Sequence, residues 1–80
     1  MSTLAVKNPE TLAVEVRCDR EFLHVRLSDV REVSAPLQWF PRLLHATAAQ
    51  RKNWRLIGQG VGIHWEDIDE DISTAGLLRG

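Results

Sequence analysis

The sequence predicts an α+β domain built on a small, mostly antiparallel sheet of about five strands, with one or two helices and a short C-terminal helical turn. Three observations lead there. Apolar residues alternate through residues 12–18 and 22–27; Leu37, Phe40, Leu43 and Leu44 recur at helical spacing; and two apolar arms, at residues 54–57 and 61–65, flank Gly58-Gln59-Gly60 in the manner of a hairpin.

In chain order, residues 1–10 mix small, polar and apolar side chains without a sustained period and close on Asn8-Pro9, so they are expected to form a flexible arm or an edge segment. Residues 11–80 then make up a single domain. In the first strand Leu12, Val14, Val16 and Cys18 form the inward set, which makes Cys18 a small core residue rather than a reactive thiol. Asp19-Arg20-Glu21 turns the chain into a second strand with Leu23, Val25 and Leu27 inward and Phe22, His24 and Arg26 outward. Ser28-Asp29-Val30-Arg31 leads to a third strand that Pro36 closes.

The main helix is expected over residues 37–46, with Pro41 kinking it or marking its first turn. Thr47-Ala48-Ala49-Gln50 reads as a capping box opening a second helix that runs to about Asn53. In the hairpin, alternation turns Val61, Ile63 and Trp65 to one face and Gly62, His64 and Glu66 to the other. Ser73 can cap a final turn over residues 74–78. Trp39, Trp54 and Trp65 are expected as the core anchors.

Composition narrows the function classes. Eighty residues, 44% hydrophobic and 26% charged, suit one domain; a chain this short buries only about 60% of its unfolded surface, which favours homodimerisation. Ten basic against eleven acidic residues give a net charge of −1, so no overall basic field exists for nucleic acid. Arg42, His45, Arg51, Lys52 and Arg55 form at most a small basic patch, and direct nucleic-acid binding is not expected. A single cysteine, no membrane-length apolar run and no leader-like N-terminus point to the cytoplasm and away from membranes.

The chemistry-bearing residues gather in one stretch. Gly58-x-Gly60-x-Gly62 lacks the following helix of a dinucleotide fingerprint and reads as turn and close packing. His64, Glu66, Asp67, Asp69, Glu70 and Asp71 offer imidazole and carboxylate groups, yet without calcium-loop spacing or a second nearby histidine no metal site is assigned. Ser73, His64 and Asp69 supply triad residue types without a nucleophile elbow, so neither catalysis nor a cofactor is expected. Five of the eleven acids fall within residues 66–71, making a locally negative edge suited to a protein partner. Two readings follow: an interaction module binding through the hairpin and this acidic edge, or a small-ligand or metal-binding domain using His64 and its neighbouring carboxylates.

Trp54-Arg55-Leu56-Ile57-Gly58, Gly62-Ile63-His64-Trp65, Asp69-Glu70-Asp71-Ile72-Ser73 and Gly76-Leu77-Leu78, with Pro36-Leu37, Trp39 and Pro41-Arg42-Leu43-Leu44-His45-Ala46-Thr47 upstream, resemble the signature of the small bacterial family catalogued as domain of unknown function 2442. The resemblance implies an accessory or regulatory protein. It further implies that some longer members carry a C-terminal helix-turn-helix and that short ones resemble antitoxin partners encoded beside another small protein. No room for the extra DNA-binding unit is expected in a chain ending at Gly80, so the resemblance carries over protein binding alone. The family favours Asp-Gly where this chain has Asp29-Val30, so either that loop takes another geometry or Val30 is strained.

Overall fold

A computed structural model describes residues 11–80; the expected arm at residues 1–10 lies outside them. The two alternating runs form β1 (Ala13–Cys18) and β2 (Phe22–Leu27), and β3 (Glu32–Pro36) completes an antiparallel meander in the order β1-β2-β3. Leu23, Val25 and Leu27 are buried, as alternation requires. β1 does not keep one period. Its register passes from Ala13↔Leu27 to Glu15↔Arg26 and Val16↔Val25, so Val14 is the extra residue of a β-bulge. The bulge turns both Ala13 and Val16 inward and leaves Val14 46% exposed. Cys18 and Leu12 are half-buried, so the expected inward set of Leu12, Val14, Val16 and Cys18 is only partly correct.

Aspartates shape both turns of this sheet. Asp19 Oδ1 accepts from the N–H groups of Glu21 and Phe22 at 2.8 and 2.7 Å, and Asp29 Oδ1 accepts from that of Arg31 at 3.2 Å. Between Asp29 and Arg31, Val30 adopts φ 67° and is 89% exposed. A β-branched residue in the left-handed region is strained, and here almost no packing offsets that strain. Of the two alternatives the sequence leaves for this loop, the structure has the strained one.

The expected main helix over residues 37–46 is instead two separate turns, a 3-10 turn at Leu37–Trp39 and α1 (Pro41–Leu44). Pro41 sits at the first position of α1 and holds Phe40 at φ −130°, ψ 81°, outside the helical region, because its ring crowds the preceding residue. Leu37 and Leu43 are buried, whereas Trp39 is 58% exposed and is not a core anchor. The short α2 (Ala48–Lys52) opens on the expected capping box: Thr47 Oγ1 accepts from Gln50 N–H at 3.1 Å and Gln50 Oε1 from Thr47 N–H at 2.9 Å.

β4 (Trp54–Ile57) and β5 (Gly62–Trp65) form the expected hairpin, but a further strand, β6 (Glu70–Ser73), pairs with β5. Among the described residues there are therefore six strands in two three-stranded antiparallel sheets, not one sheet of about five. After Trp65 a 3-10 turn at Glu66–Ile68 and a left-handed Asp69 (φ 52°) reverse the chain, and Ile72 comes to lie opposite Ile63. Aspartate tolerates that conformation. Val61 precedes β5 and belongs to the turn, so it is largely exposed rather than inward with Ile63 and Trp65.

Among the described residues, the backbone hydrogen bond that links the two sheets is made at the carbonyl of Gly60. The oxygen of Gly60 accepts from the backbone N–H of Ala13 at 2.8 Å and from the buried Thr74 hydroxyl at 2.7 Å. Gly60 has φ 119°, and a Cβ there would lie 2.3 Å from the oxygen of Ala13, so only glycine fits. Ser73 caps α3 (Thr74–Arg79) by accepting from Gly76 N–H at 2.8 Å. One apolar cluster then spans both sheets, with Val16, Leu23 and Val25 from the first, Ile63, Trp65 and Ile72 from the second, and Leu37, Leu43 and Leu77 between.

Three substitutions, measured by urea unfolding, check this packing. Val30→Gly is expected to stabilise the domain by about 1 kcal/mol in urea unfolding, with an unchanged denaturant slope, by removing left-handed strain. Trp65 is fully buried, so Trp65→Ala is expected to cost about 3–5 kcal/mol. Trp39→Ala is expected to stay within about 0.5 kcal/mol of the parent in the same assay, and a large loss there would return Trp39 to the core.

Candidate functional site

The polar face of the second sheet is organised by register. Cross-strand pairing sets Arg55, His64 and Asp71 in one row, since facing residues on neighbouring strands share a side of the sheet. His64 Nδ1 lies 2.5 Å from Asp71 Oδ1 and its Nε2 lies 3.1 Å from Glu66 Oε1, while Arg55 Nη2 approaches the same Glu66 oxygen at 3.6 Å. The His64 side chain is 14% exposed. The Asp71 hydrogen bond pushes its pKa above the ordinary value; desolvation opposes the shift, and the charges of Asp71 and Glu66 add to it. The shift favours the imidazolium form, in which both nitrogens donate. A metal ligand needs a free nitrogen lone pair, and among the described residues no group of three or more His, Cys, Asp or Glu is placed to hold a metal ion.

The acidic run does not form one surface. Asp71 and Glu66 serve His64, and Asp67 Oδ2 accepts from Asn53 Nδ2 at 3.0 Å. Asp69 makes the left-handed turn, where its carbonyl accepts from Arg42 Nη1 at 2.5 Å. Glu70 pairs in register with Trp65 and is half-buried. Of the remaining triad types, the Ser73 hydroxyl is engaged in capping α3.

Trp39 marks a feature absent from the sequence reading. With Phe40, Ile72, Leu77 and Gly76 it lines an open groove of about 310 Å³, and Asp71 and Ser73 stand at its polar side. The signal was present in the spacing: Leu37, Phe40, Leu43 and Leu44 define the inward stripe, and Trp39 falls off it. The first sheet carries a counterpart of the His64 cluster that also went unread. His24 Nε2 lies 2.8 Å from Asp19 Oδ2 and its Nδ1 lies 2.7 Å from Ser34 Oγ. The His24 hydrogen bond, followed by the N–H groups of Glu21 and Phe22, holds the Asp19 carboxyl far below the usual carboxylate range.

For His64 the sign of the pH effect is fixed by the raised pKa. Its contribution to stability is complete below the unfolded midpoint near 6.5 and is lost as pH rises through the higher folded midpoint. Histidine ring resonances followed by NMR are expected to show a His64 midpoint above 6.5, moving down in Asp71→Asn; a midpoint indifferent to that substitution would dissolve the pair.

Comparison with known proteins places this geometry. No curated protein matches the chain. The crystal structure of a protein of unknown function from Rhodospirillum rubrum ATCC 11170 is similar over 90% of this chain and 89% of its own, at 32% identity and a TM-score of 0.77. The family profile described as "Protein of unknown function (DUF2442)" matches residues 13–80, which takes in both sheets, the Trp39 groove and the His64 row. The chain belongs to that family.

Proposed function

We propose that the chain is a non-catalytic protein-interaction or regulatory module, of the antitoxin-like kind the family resemblance implies, and that its contact surface is the Trp39 groove. The carrying observation is the exposure of Trp39 itself, an indole held out beside Phe40, Ile72 and Leu77. Exposed aromatic side chains next to an apolar recess are the usual anchors of protein interfaces, and they supply most of the affinity. Asp71 lines the groove, and Asp69 and Glu70 precede it on the same chain segment. Asp71, which also pairs with His64, is the carboxylate at the groove, and it favours a partner segment in which an apolar side chain is flanked by lysine or arginine. No helix among the described residues is long and apolar enough to cross a membrane, in keeping with a partner met in solution.

The test is a panel of synthetic peptides, each carrying one Leu, Phe or Trp between basic residues, set against matched peptides with glutamate in the basic positions. Fluorescence anisotropy is expected to show binding of the basic set, weakening with salt and falling at least about tenfold in Trp39→Ala. Absence of binding, or equal binding of the acidic set, would overturn the reading. A mass that doubles with concentration in sedimentation equilibrium, and stays single in Trp39→Ala, would give the groove to a second copy of this chain instead.

A further inference from the structure

A second recess lies across the molecule, between the end of β1, α2 and the start of β4, and it shares no lining residue with the Trp39 groove. Its volume is about 350 Å³, within the range of small-molecule sites and more enclosed than a flat protein interface. Four cations line it, Arg17, Arg20, Arg51 and Lys52, against the single carboxylate of Asp19. Asp19 is already committed to His24 and two backbone N–H groups. Arg17 reaches Glu32 at 3.4 Å, whereas among the described residues neither Arg20 nor Lys52 has a carboxylate within 4.0 Å. In a protein of net charge −1, this is a local excess of positive charge, with Arg20 and Lys52 unmatched by a carboxylate among the described residues.

The recess is also preformed. Arg51 donates through Nε to the carbonyl of Leu43 at 2.9 Å and through Nη2 to that of Leu44 at 2.8 Å, which fixes the guanidinium in place. Its own carbonyl accepts from the Trp65 indole at 3.1 Å, tying α2 to the core. The capping box secures the other end of that helix. The fixed Arg51 guanidinium loses little entropy when an anion arrives, and the exposed Arg20 and Lys52 side chains supply the further donors. The remaining wall is apolar: half-buried Trp54 and Cys18, buried Val16 and exposed Ala48. Burial raises the Cys18 pKa against the opposing pull of Arg51, so the thiol is an uncharged wall. A ligand matching both halves has a planar ring for Trp54 and a compact, multiply charged anionic group for the cations.

We propose that this cleft binds a free nucleoside phosphate, with the base against Trp54 and the phosphate among Arg20, Arg51 and Lys52. Aromatic stacking takes the base and charge-assisted hydrogen bonds take the phosphate, the two contributions neither of which suffices alone at this size. Ordinary basic patches offer charge without a ring-sized wall, and apolar pockets offer the wall without the charge.

The experiment is an NMR titration of the isotopically labelled chain with AMP, adenosine, inorganic phosphate and a short single-stranded oligonucleotide. The expected result is saturable shifts confined to residues 17–20 and 48–54, including the Trp54 indole, for AMP. Adenosine and phosphate are expected to bind at least about tenfold more weakly, as is AMP to Arg20→Gln and Lys52→Gln, each with the parent's melting temperature. Shifts from AMP that do not saturate or fall elsewhere, or adenosine binding as well as AMP, would overturn the proposal. Tighter binding of the oligonucleotide at the same residues would replace it with single-strand recognition. Since the lining residues are distinct, loss of this site leaves the peptide experiment on the Trp39 groove unaffected.

Discussion

The architecture depends on the carbonyl of Gly60. Two three-stranded meanders that do not hydrogen-bond as one sheet need a point of registration, and this oxygen supplies it by accepting from Ala13 in the first sheet and Thr74 at the start of α3. The cost of leaving buried donors unpaired makes the junction cooperative. It also explains the local sequence: a side chain at position 60 would enter the backbone of Ala13, and the nearby bulge at Val14 presents Ala13 to the contact while returning Val16 to the core. Close approach of two backbones, rather than turn propensity alone, fixes a glycine there.

Much of the fold was legible because simple periods govern it. Inward Leu23, Val25 and Leu27, the β4-β5 hairpin, the Thr47–Gln50 box and the Ser73 cap all follow from residues within a few positions of one another. What stayed hidden required knowledge of a distant partner or a competing local restriction. β6 reads as a hydrated acidic run until Ile72 is seen opposite Ile63, and the bulge in β1 appears only against β2. Pro41 does mark a first turn, as expected, but its effect on Phe40 divides the helix expected over residues 37–46 into two turns. Burial of Trp39 was inferred from residue type where its position argued otherwise. For the candidate site, His64, Glu66 and Asp71 do come together, but Asp67, Asp69 and Glu70 disperse because a turn separates residues that the sequence sets side by side.

The polar surfaces repeat one device. In each sheet a histidine on the middle strand is held between two hydrogen-bond partners, His24 by Asp19 and Ser34, His64 by Asp71 and Glu66. Each links neighbouring segments through side chains on the face away from the apolar cluster. In a domain with so little interior, such cross-strand pairs add order to sheets only three strands wide. Against these paired surfaces, the largely apolar Trp39 groove and the basic cleft beside α2 stand apart in chemistry.

The chain contains no tyrosine and three tryptophans, and these occupy three unlike settings: Trp39 at the rim of the groove, Trp54 in the wall of the basic cleft and Trp65 at the centre of the core. Ultraviolet emission from the protein is therefore a sum of one solvent-relaxed, one partly shielded and one fully shielded indole, with no tyrosine donor feeding them by energy transfer. Aqueous quenchers will sort the three by access, so the unlabelled protein reports separately on each of its two recesses and on the integrity of its interior.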